Sequence, residues 1–163
     1  IDIDINAFLQ ASENIENSKW SKRIRAHHKS IQDYIPYCNC KYDLIVSNPP
    51  YFIDSSKAVE EARTNARHTD CLSFNDLLNG VVNLLNPMGK FYIILPVKES
   101  QMFIEMALKQ KLYLTKLTRV ITRPDKPEKR LLMKFEFAEC TTPEEDYIVI
   151  EEDGRHVYSA AYK

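Results

Sequence analysis

Glycine is scarce in this sequence of 163 residues. There are three glycines, Gly80, Gly89 and Gly154, where an average usage of roughly 7% predicts about eleven. Because no glycine precedes Gly80, the sequence contains neither a P-loop nor a G-x-G-x-x-G turn, both of which need glycine where the backbone approaches a phosphate. A nucleotide-like cofactor is therefore held without a glycine-rich loop, or that loop lies outside this sequence.

Long apolar runs and metal-binding cysteine patterns are also missing. With 44% hydrophobic and 28% charged residues, the composition excludes a disordered chain and a membrane-spanning one. Of four cysteines only Cys38 and Cys40 are close together, and a C-x-C pair without a second pair or nearby histidines is not zinc spacing. We therefore expect reduced thiols, a cytoplasmic location, no metal and no membrane partner.

The first residues predict a piece of a longer protein. Ile1 to Ile5 alternate between isoleucine and aspartate and lead directly into Ala7-Phe8-Leu9, a pattern typical of a strand that enters a helix. A natural chain rarely starts in the middle of such an element, and the sequence has no initiator methionine. We therefore expect further residues upstream of Ile1.

The rest of the chain alternates short apolar runs with helical-period segments, which predicts one α/β domain over residues 1–163. Residues 42–47 and 91–95 are expected to be buried parallel strands, and a helix begins after Ser73. The strands at about 113–121 and 131–137 are joined by nine residues, too few for a parallel crossover. The predicted fold is a mostly parallel sheet with one antiparallel strand near its C-terminal end.

The net charge of −1 hides a strong segregation of charge. Residues 109–134 carry nine Lys/Arg and two acids, a charge of +7, whereas residues 135–163 carry two Lys/Arg and eight acids, a charge of −6. A polyanion responds to the local patch and not to the total charge. The basic stretch therefore indicates either a nucleic-acid surface or the solvated face of an edge hairpin.

One motif carries chemistry, the segment from Ser47 to Phe52 directly after the apolar run 42–47. Ligands of open parallel sheets bind beyond the carboxyl ends of the strands, where this motif lies. Two prolines fix the backbone and remove two N–H donors, while Asn48 adds a side-chain carbonyl and two aromatic side chains add flat faces. This combination suits a planar group with an NH₂, such as adenine, cytosine or a carboxamide.

Residues 43–52 resemble motif IV of class I S-adenosylmethionine-dependent amino-methyltransferases. Asp2-Ile3-Asp4 before a helix resembles the second strand of that fold, and residues 62–68, 87–96 and 123–130 are similar to a narrower group. On these residues the sequence resembles the bacterial tRNA1(Val) adenine-37 N6-methyltransferase family. The resemblance implies a Rossmann-like fold, S-adenosylmethionine as cofactor and tRNA as partner. It also implies that the first strand, first helix and glycine-rich turn of the family are missing here.

The family pattern implies roles for individual residues of this sequence. The implied catalytic residues hold and stack the target adenine: Asn48, Pro49, Pro50 and Tyr51. The implied cofactor contacts are Asp2 to the ribose, Ser30 and the Ile31 amide to the cofactor adenine, and Asn48. Asp4 is a weaker choice than Asp2, and Asp33 replaces Ser30 if the alignment shifts. The expected RNA contacts are Phe52, Arg67, His68, Arg123, Lys126, Lys129 and Arg130.

The motif alone leaves alternatives open. Similar Asn-Pro-Pro-Tyr loops serve DNA adenine methylation and glutamine N5 methylation of release factors, because a carboxamide and an adenine present the same NH₂. A non-catalytic RNA-binding module is a further alternative, which the missing glycine turn supports. Phe52 and the basic stretch favour nucleic acid, and the lack of a large recognition domain disfavours sequence-specific DNA. The resemblance of residues 66–68 then favours tRNA, and the sequence does not indicate an oligomeric state.

Overall fold

The computed structural model describes residues 1–50, 72–152 and 157–162, which fall into two compact units, residues 1–40 and 41–163. The first unit contains two helices and a short 3₁₀ helix, α1 (Ile5–Glu16), α2 (Ile31–Tyr34) and η1 (Ile35–Tyr37). The second contains five strands and two helices: β1 (Tyr42–Ser47), α3 (Phe74–Leu84), β2 (Leu85–Pro96), α4 (Val97–Lys109), β3 (Tyr113–Ile121), β4 (Glu128–Glu136) and β5 (Glu144–Val149).

In the first unit, α1 begins where the sequence places an acidic cap. The carboxylate of Asp4 accepts a hydrogen bond from the Ala7 amide at 2.8 Å, which satisfies one N–H of the first turn. The predicted strand before it is reduced to a single parallel bridge between Asp2 and His28. The His28 ring lies 5.5 Å from the Phe8 ring and holds the bridge against α1.

In the second unit, the five strands form one sheet in the order β1-β2-β4-β3-β5. β1 pairs with β2, and β3 with β5, in parallel, while β4 is antiparallel to both of its neighbours, β2 and β3. The prediction of a mostly parallel sheet with one antiparallel strand is therefore confirmed, as is the hairpin formed by β3 and β4. The carboxyl ends of β1, β2, β3 and β5 consequently lie at one edge of the sheet.

Phenylalanine rings form the core between the sheet and its two helices. Phe103 of α4 lies 5.6 Å from Phe135 of β4 and 6.3 Å from Phe91 of β2, and all three side chains are fully buried. Phe74, at the start of α3, meets the Phe103 ring edge-on at 5.0 Å. These contacts fix both helices to the middle strands, because edge-to-face pairs at this spacing add to the burial of apolar area.

The structure confirms the start of α3 and corrects its end. Ser73 caps the helix by accepting the Asp76 amide at 3.1 Å, as the sequence predicts. The helix ends at Leu84, and β2 begins at Leu85, so that Pro87-Met88-Gly89 belongs to the strand and does not form a turn. Proline is tolerated there because β1 pairs with β2 through residues 90–93 and with Leu85 beyond a shift in register.

β1 is less buried than the sequence predicts. Leu44 is 56% exposed to solvent and Val46 is 70% exposed, so the expectation of a strand buried on both faces is wrong. β1 is the outermost strand of the described sheet, with β2 on one side, and its side chains alternate between faces. Ile45 is half-buried on the opposite face.

β5 is the element that the sequence pattern did not predict. Its acidic residues lie beside basic residues of β3: Lys116 Nζ is 2.6 Å from Glu144, and Arg119 Nη2 is 3.1 Å from Glu145. Arg119 also donates two hydrogen bonds to Glu128, at 2.8 and 3.0 Å, and these contacts raise its pKa. The strand is therefore held by charge pairing with β3 as well as by its backbone bonds.

Gly89 is one position where glycine is required. A Cβ at this residue would lie 2.8 Å from the Tyr42 carbonyl oxygen and 3.0 Å from the Asn86 oxygen, both backbone atoms that cannot rotate away. We expect Gly89→Ala to lower the free energy of unfolding by about 1–3 kcal/mol, measured by urea unfolding. Lys90→Ala, at the exposed next position, is the control and should change it by less than about 0.5 kcal/mol. Equal stability of both variants would contradict the close approach.

Glu136 provides a pH-dependent contribution to stability. The Thr115 hydroxyl donates to its carboxylate at 2.6 Å and Lys134 lies at 3.0 Å, and these contacts lower the pKa of Glu136. A lowered pKa stabilises the fold above the pKa of the unfolded chain, and this stabilisation is lost as pH falls through the folded value. We expect Glu136→Gln to unfold at lower urea than the native protein at pH 7, with the difference shrinking as pH falls below the ordinary glutamate pKa of about 4.3. Glu105→Gln controls for the loss of one negative charge. If Glu136→Gln remained less stable than the native protein at acid pH, the ionised Glu136 carboxylate would not be the source of the stabilisation.

Candidate functional site

The Asn-Pro-Pro loop leaves the sheet at the carboxyl end of β1. Ser47, the last residue of that strand, pairs in register with Ile93, and β2 runs on to Pro96 beside the loop. Asn48 is exposed and Pro49 is buried. The structure therefore places the predicted amine-holding residues where ligands of parallel sheets bind.

The chemistry available at this loop is that of two oxygen acceptors on a stiff backbone. The side-chain amide of Asn48 offers one carbonyl oxygen. The second is the backbone carbonyl of Pro49, whose position is fixed because the Pro49 ring is buried. Pro50 is exposed and continues the fixed backbone. The other predicted residues of this region lie outside the described residues: Tyr51, Phe52, Arg67 and His68.

In the first unit, Asp2 and Asp4 make different contacts. Asp4 is engaged as the cap of α1. Asp2 lies on the bridge, where its backbone donates to His27 and accepts from Lys29, both at 3.0 Å, and its Oδ1 accepts the Asp4 amide at 2.9 Å. The carboxylate of Asp2 is exposed and fixed in orientation, which favours it over Asp4 as a ligand for hydroxyl groups.

The predicted adenine contacts Ser30 and Ile31 lie at the beginning of α2. The Ser30 hydroxyl accepts the Asp33 amide at 3.0 Å and donates to the Asp33 carboxylate at 2.7 Å. Ser30 and its alternative Asp33 therefore form one hydrogen-bonded pair. Ile31 follows Ser30 directly and is half-buried. A ligand that accepts a hydrogen bond from the Ile31 amide would therefore also contact the Ser30–Asp33 pair.

The predicted RNA contacts in the second unit lie at the tip of the hairpin. Arg123 and Lys126 are in the turn between β3 and β4, and both lie near one acid, Asp125, at 4.0 and 3.2 Å. Lys129 and Arg130 are exposed at the start of β4. Lysine and arginine outnumber aspartate and glutamate over residues 123–130, so the tip carries a net positive charge.

The hairpin tip lies at the same edge of the sheet as Asn48. β3 runs parallel to β1 and β2, so its carboxyl end at Ile121 and the turn after it project from the edge that carries the Asn-Pro-Pro loop. With strands about 4.8 Å apart, β3 lies roughly 14 Å from β1 across the sheet. The end of β3 at Ile121 also extends beyond Leu117, which lies in the same row as Ser47. The structure thus brings the Asn-Pro-Pro loop and the cationic tip to one edge.

The basic stretch seen in the sequence is divided in two by the fold. Its members on β3, Lys116 and Arg119, are paired with acids of β5 and β4 and are unsuited to a polyanion. Lys116 has a raised pKa because Glu144 accepts a hydrogen bond from it. The basic stretch is therefore not one continuous cationic surface, and the hairpin tip is the part of it that lies at the edge with Asn48.

Sequence reasoning missed Glu99, in the first turn of α4. Its side chain is 5% exposed, and both carboxylate oxygens are buried without a hydrogen-bond partner in the structure. α4 follows β2 at the edge that carries Asn48, and its first turn provides the positive end of a helix dipole. Glutamate is common in the first turn of helices, where it is usually exposed. The sequence pattern alone therefore could not show that Glu99 is buried.

Two general properties of the described residues bear on possible ligands. Within residues 1–50, 72–152 and 157–162, no three His, Cys, Asp or Glu side chains are grouped so that they could hold a metal ion. In the same part of the chain, no helix has the length and apolar character needed to cross a membrane.

Relatives with known names share most of this chain. It is 48% identical over 135 residues to the tRNA1(Val) (adenine(37)-N6)-methyltransferase of Trichodesmium erythraeum, covering 83% of this chain and 56% of the relative. It is 42% identical over 162 residues to the protein of the same name from Parabacteroides distasonis, covering 99% of this chain and 68% of the relative. A scan against protein-family models gave no match.

The fold is shared with a solved methyltransferase structure. The crystal structure of a predicted O-methyltransferase from Agrobacterium tumefaciens, protein Atu636, superposes with a TM-score of 0.62 over 98% of this chain and 71% of its own, at 12% identity. This likeness confirms the expected Rossmann-like methyltransferase fold. Together with the close relatives it confirms the resemblance seen in the sequence: the chain belongs to the tRNA1(Val) (adenine(37)-N6)-methyltransferase family, enzymes that methylate the N6 amine of an adenine in tRNA.

Proposed function

We propose that the protein transfers a methyl group from S-adenosylmethionine to the N6 amine of an adenine in tRNA, in the cytoplasm. The observation that carries the proposal is the Asn48-Pro49-Pro50 loop at the carboxyl end of β1, in a chain of this family. The chain spans 56% and 68% of the length of the two relatives named above, so the activity is proposed for the whole protein. Residues 1–163 are proposed to belong to one methyltransferase domain.

The proposed role of the loop is to prepare the amine. The lone pair of an exocyclic amine is delocalised into the purine ring, which makes the nitrogen a poor nucleophile. The Asn48 side-chain oxygen and the Pro49 carbonyl would accept its two N–H bonds, hold the nitrogen nearer to tetrahedral and localise the lone pair. Positioning and electrostatics then supply most of the rate, and no base is needed before transfer because the alkylated amine is the stronger acid.

The proposed cofactor contacts are Asp2, Ser30, Ile31 and Asn48. S-adenosylmethionine, when bound, supplies an electrophilic methyl group. The exposed carboxylate of Asp2, fixed by the Asp4 amide at 2.9 Å, has the acceptor geometry that vicinal ribose hydroxyls require. The linked Ser30–Asp33 pair and the Ile31 amide offer both acceptors and a donor to an adenine edge.

The proposed tRNA surface is the cationic hairpin tip, with Phe52, Arg67 and His68 as proposed contacts outside the described residues. Arg123, Lys126, Lys129 and Arg130 would contact phosphates, because they project from the edge that holds the target-base loop. Among the activities that share an Asn-Pro-Pro-Tyr loop, family membership favours tRNA over DNA or a release-factor glutamine.

Replacing Asn48 tests the amine-holding role. We expect Asn48→Ala in the full-length protein to lower kcat for tRNA methylation by roughly 100-fold or more, because one of two acceptors is lost. The affinity for S-adenosylmethionine, measured by calorimetry, should change little. Asn75→Ala, at an exposed position of α3, is the matched control. Full activity of Asn48→Ala would refute the role, and a native protein that binds tRNA but no cofactor would be a non-catalytic module.

Reversing the charge of the hairpin tip tests the RNA surface. We expect Lys126→Glu, Lys129→Glu and Arg130→Glu together to weaken tRNA binding and to flatten its dependence on salt, because fewer counterions are released. The control combines Lys90→Glu, Lys109→Glu and Lys111→Glu, three exposed residues on β2 or at or just after the end of α4 that undergo the same change in net charge. Equal salt slopes for the two triple variants would rule out the tip as the RNA platform.

A further inference from the structure

A cavity of about 460 Å³ lies beside the hairpin tip, on the side away from β1. Its lining consists of a residue of the turn, three residues of β5 and three residues that follow β5: Pro124, Asp146, Tyr147, Val149, Glu152, Ser159 and Ala161. Its volume is within the range of small-ligand sites, although it belongs neither to the Asn-Pro-Pro loop nor to the predicted cofactor contacts.

The cavity is held open by a chain reversal after β5. The Glu152 amide donates to the Val157 carbonyl at 3.0 Å, and the Ser159 amide donates to the Ile150 carbonyl at 2.9 Å. Ser159 is 2% exposed, and its hydroxyl donates to the Val149 carbonyl. Val157 and Ser159 are thereby fixed along the end of β5.

The chemistry of the lining is that of a flat ring with acceptors beside it. Tyr147 is 66% exposed, which leaves its ring available for stacking. Glu152 contributes an exposed carboxylate. Asp146 contributes a second one, already engaged with the Tyr147 amide at 2.7 Å and near Lys116 at 3.8 Å. An aromatic face next to a carboxylate fits a nucleobase with an exocyclic amine, because carboxylates accept from such amines.

The position of the cavity connects it to the tRNA. β5 is parallel to β3 and its end at Val149 pairs in register with Ile121, so the cavity lies at the edge that carries Asn48. Four strand spacings of about 4.8 Å place β5 roughly 19 Å from β1. The cationic tip lies between β1 and β5. The phosphates of an RNA strand that runs from the Asn48 loop to the cavity would therefore pass over it.

We propose that this cavity binds a second, unmethylated nucleotide of the tRNA, with its base stacked on Tyr147 and its exocyclic amine donated to Glu152. The proposal rests on the proposed function for the identity of the polymer. The nucleotide is not an immediate neighbour of the target adenine, because the two sites are separated by the width of the hairpin. The pair Tyr147 and Glu152 would then contribute to substrate choice without touching the reacting amine.

Binding of labelled oligo(C) and oligo(U) to the full-length protein tests the proposal without requiring methyl transfer. Cytosine has an exocyclic amine and uracil has none. We expect Tyr147→Ala to weaken binding of both oligomers about fivefold to 100-fold, the size of one lost stacking contact, and Tyr147→Phe to restore it. We expect Glu152→Gln to lower the affinity for oligo(C) by at least threefold more than the affinity for oligo(U). Met102→Ala, an exposed apolar residue of α4, is the control.

The outcomes separate this site from the proposed catalytic function. Unchanged affinity of Tyr147→Ala for both oligomers overturns the stacking site, and an equal effect of Glu152→Gln on oligo(C) and oligo(U) overturns the contact to the amine. With tRNA as substrate, both variants should raise KM and leave kcat within twofold. If the native protein binds oligo(C) through Tyr147 but methylates no tRNA, the cavity stands and the proposed activity fails.

Discussion

The parallel pairing of β1 with β2 is the constraint on which the candidate site depends. It brings the carboxyl end of β1, with Asn48 and Pro49, level with the end of β2. The antiparallel β4 then allows β3 to return in the direction of β2, and β5 follows β3. Every loop that carries proposed chemistry in the second unit therefore leaves from one edge, while the buried rings of Phe91, Phe103 and Phe135 hold the helices to the sheet.

Much of this unit could be predicted because the signals are local. The capping pair Ser73 and Asp76 marks the start of α3, and the nine-residue spacing between β3 and β4 excludes a parallel crossover. The Asn-Pro-Pro-Tyr-Phe segment was identified by chemistry and by family pattern, and its location after β1 follows from the apolar run before it. These inferences need no knowledge of distant contacts.

The elements that were missed depend on partners far away in sequence. β5 is rich in acidic residues, a composition that disfavours strands. In the structure Lys116 lies opposite Glu144, and the Arg119 side chain reaches Glu145. The early start of β2 similarly depends on contact between Gly89 and the Tyr42 carbonyl, which no local pattern reveals. Glu99 looks like an ordinary first-turn acid until its burial is known.

The acidic β5 has an effect that reaches beyond the contacts it makes. Because it neutralises the base of the hairpin and leaves the tip cationic, the sheet carries a dipole in its own plane, positive toward the edge with Asn48. A polyanion that approaches by diffusion would be drawn toward the cationic margin of the sheet. If the proposed function holds, this attraction would bring an RNA to the edge with the Asn-Pro-Pro loop before any base is recognised.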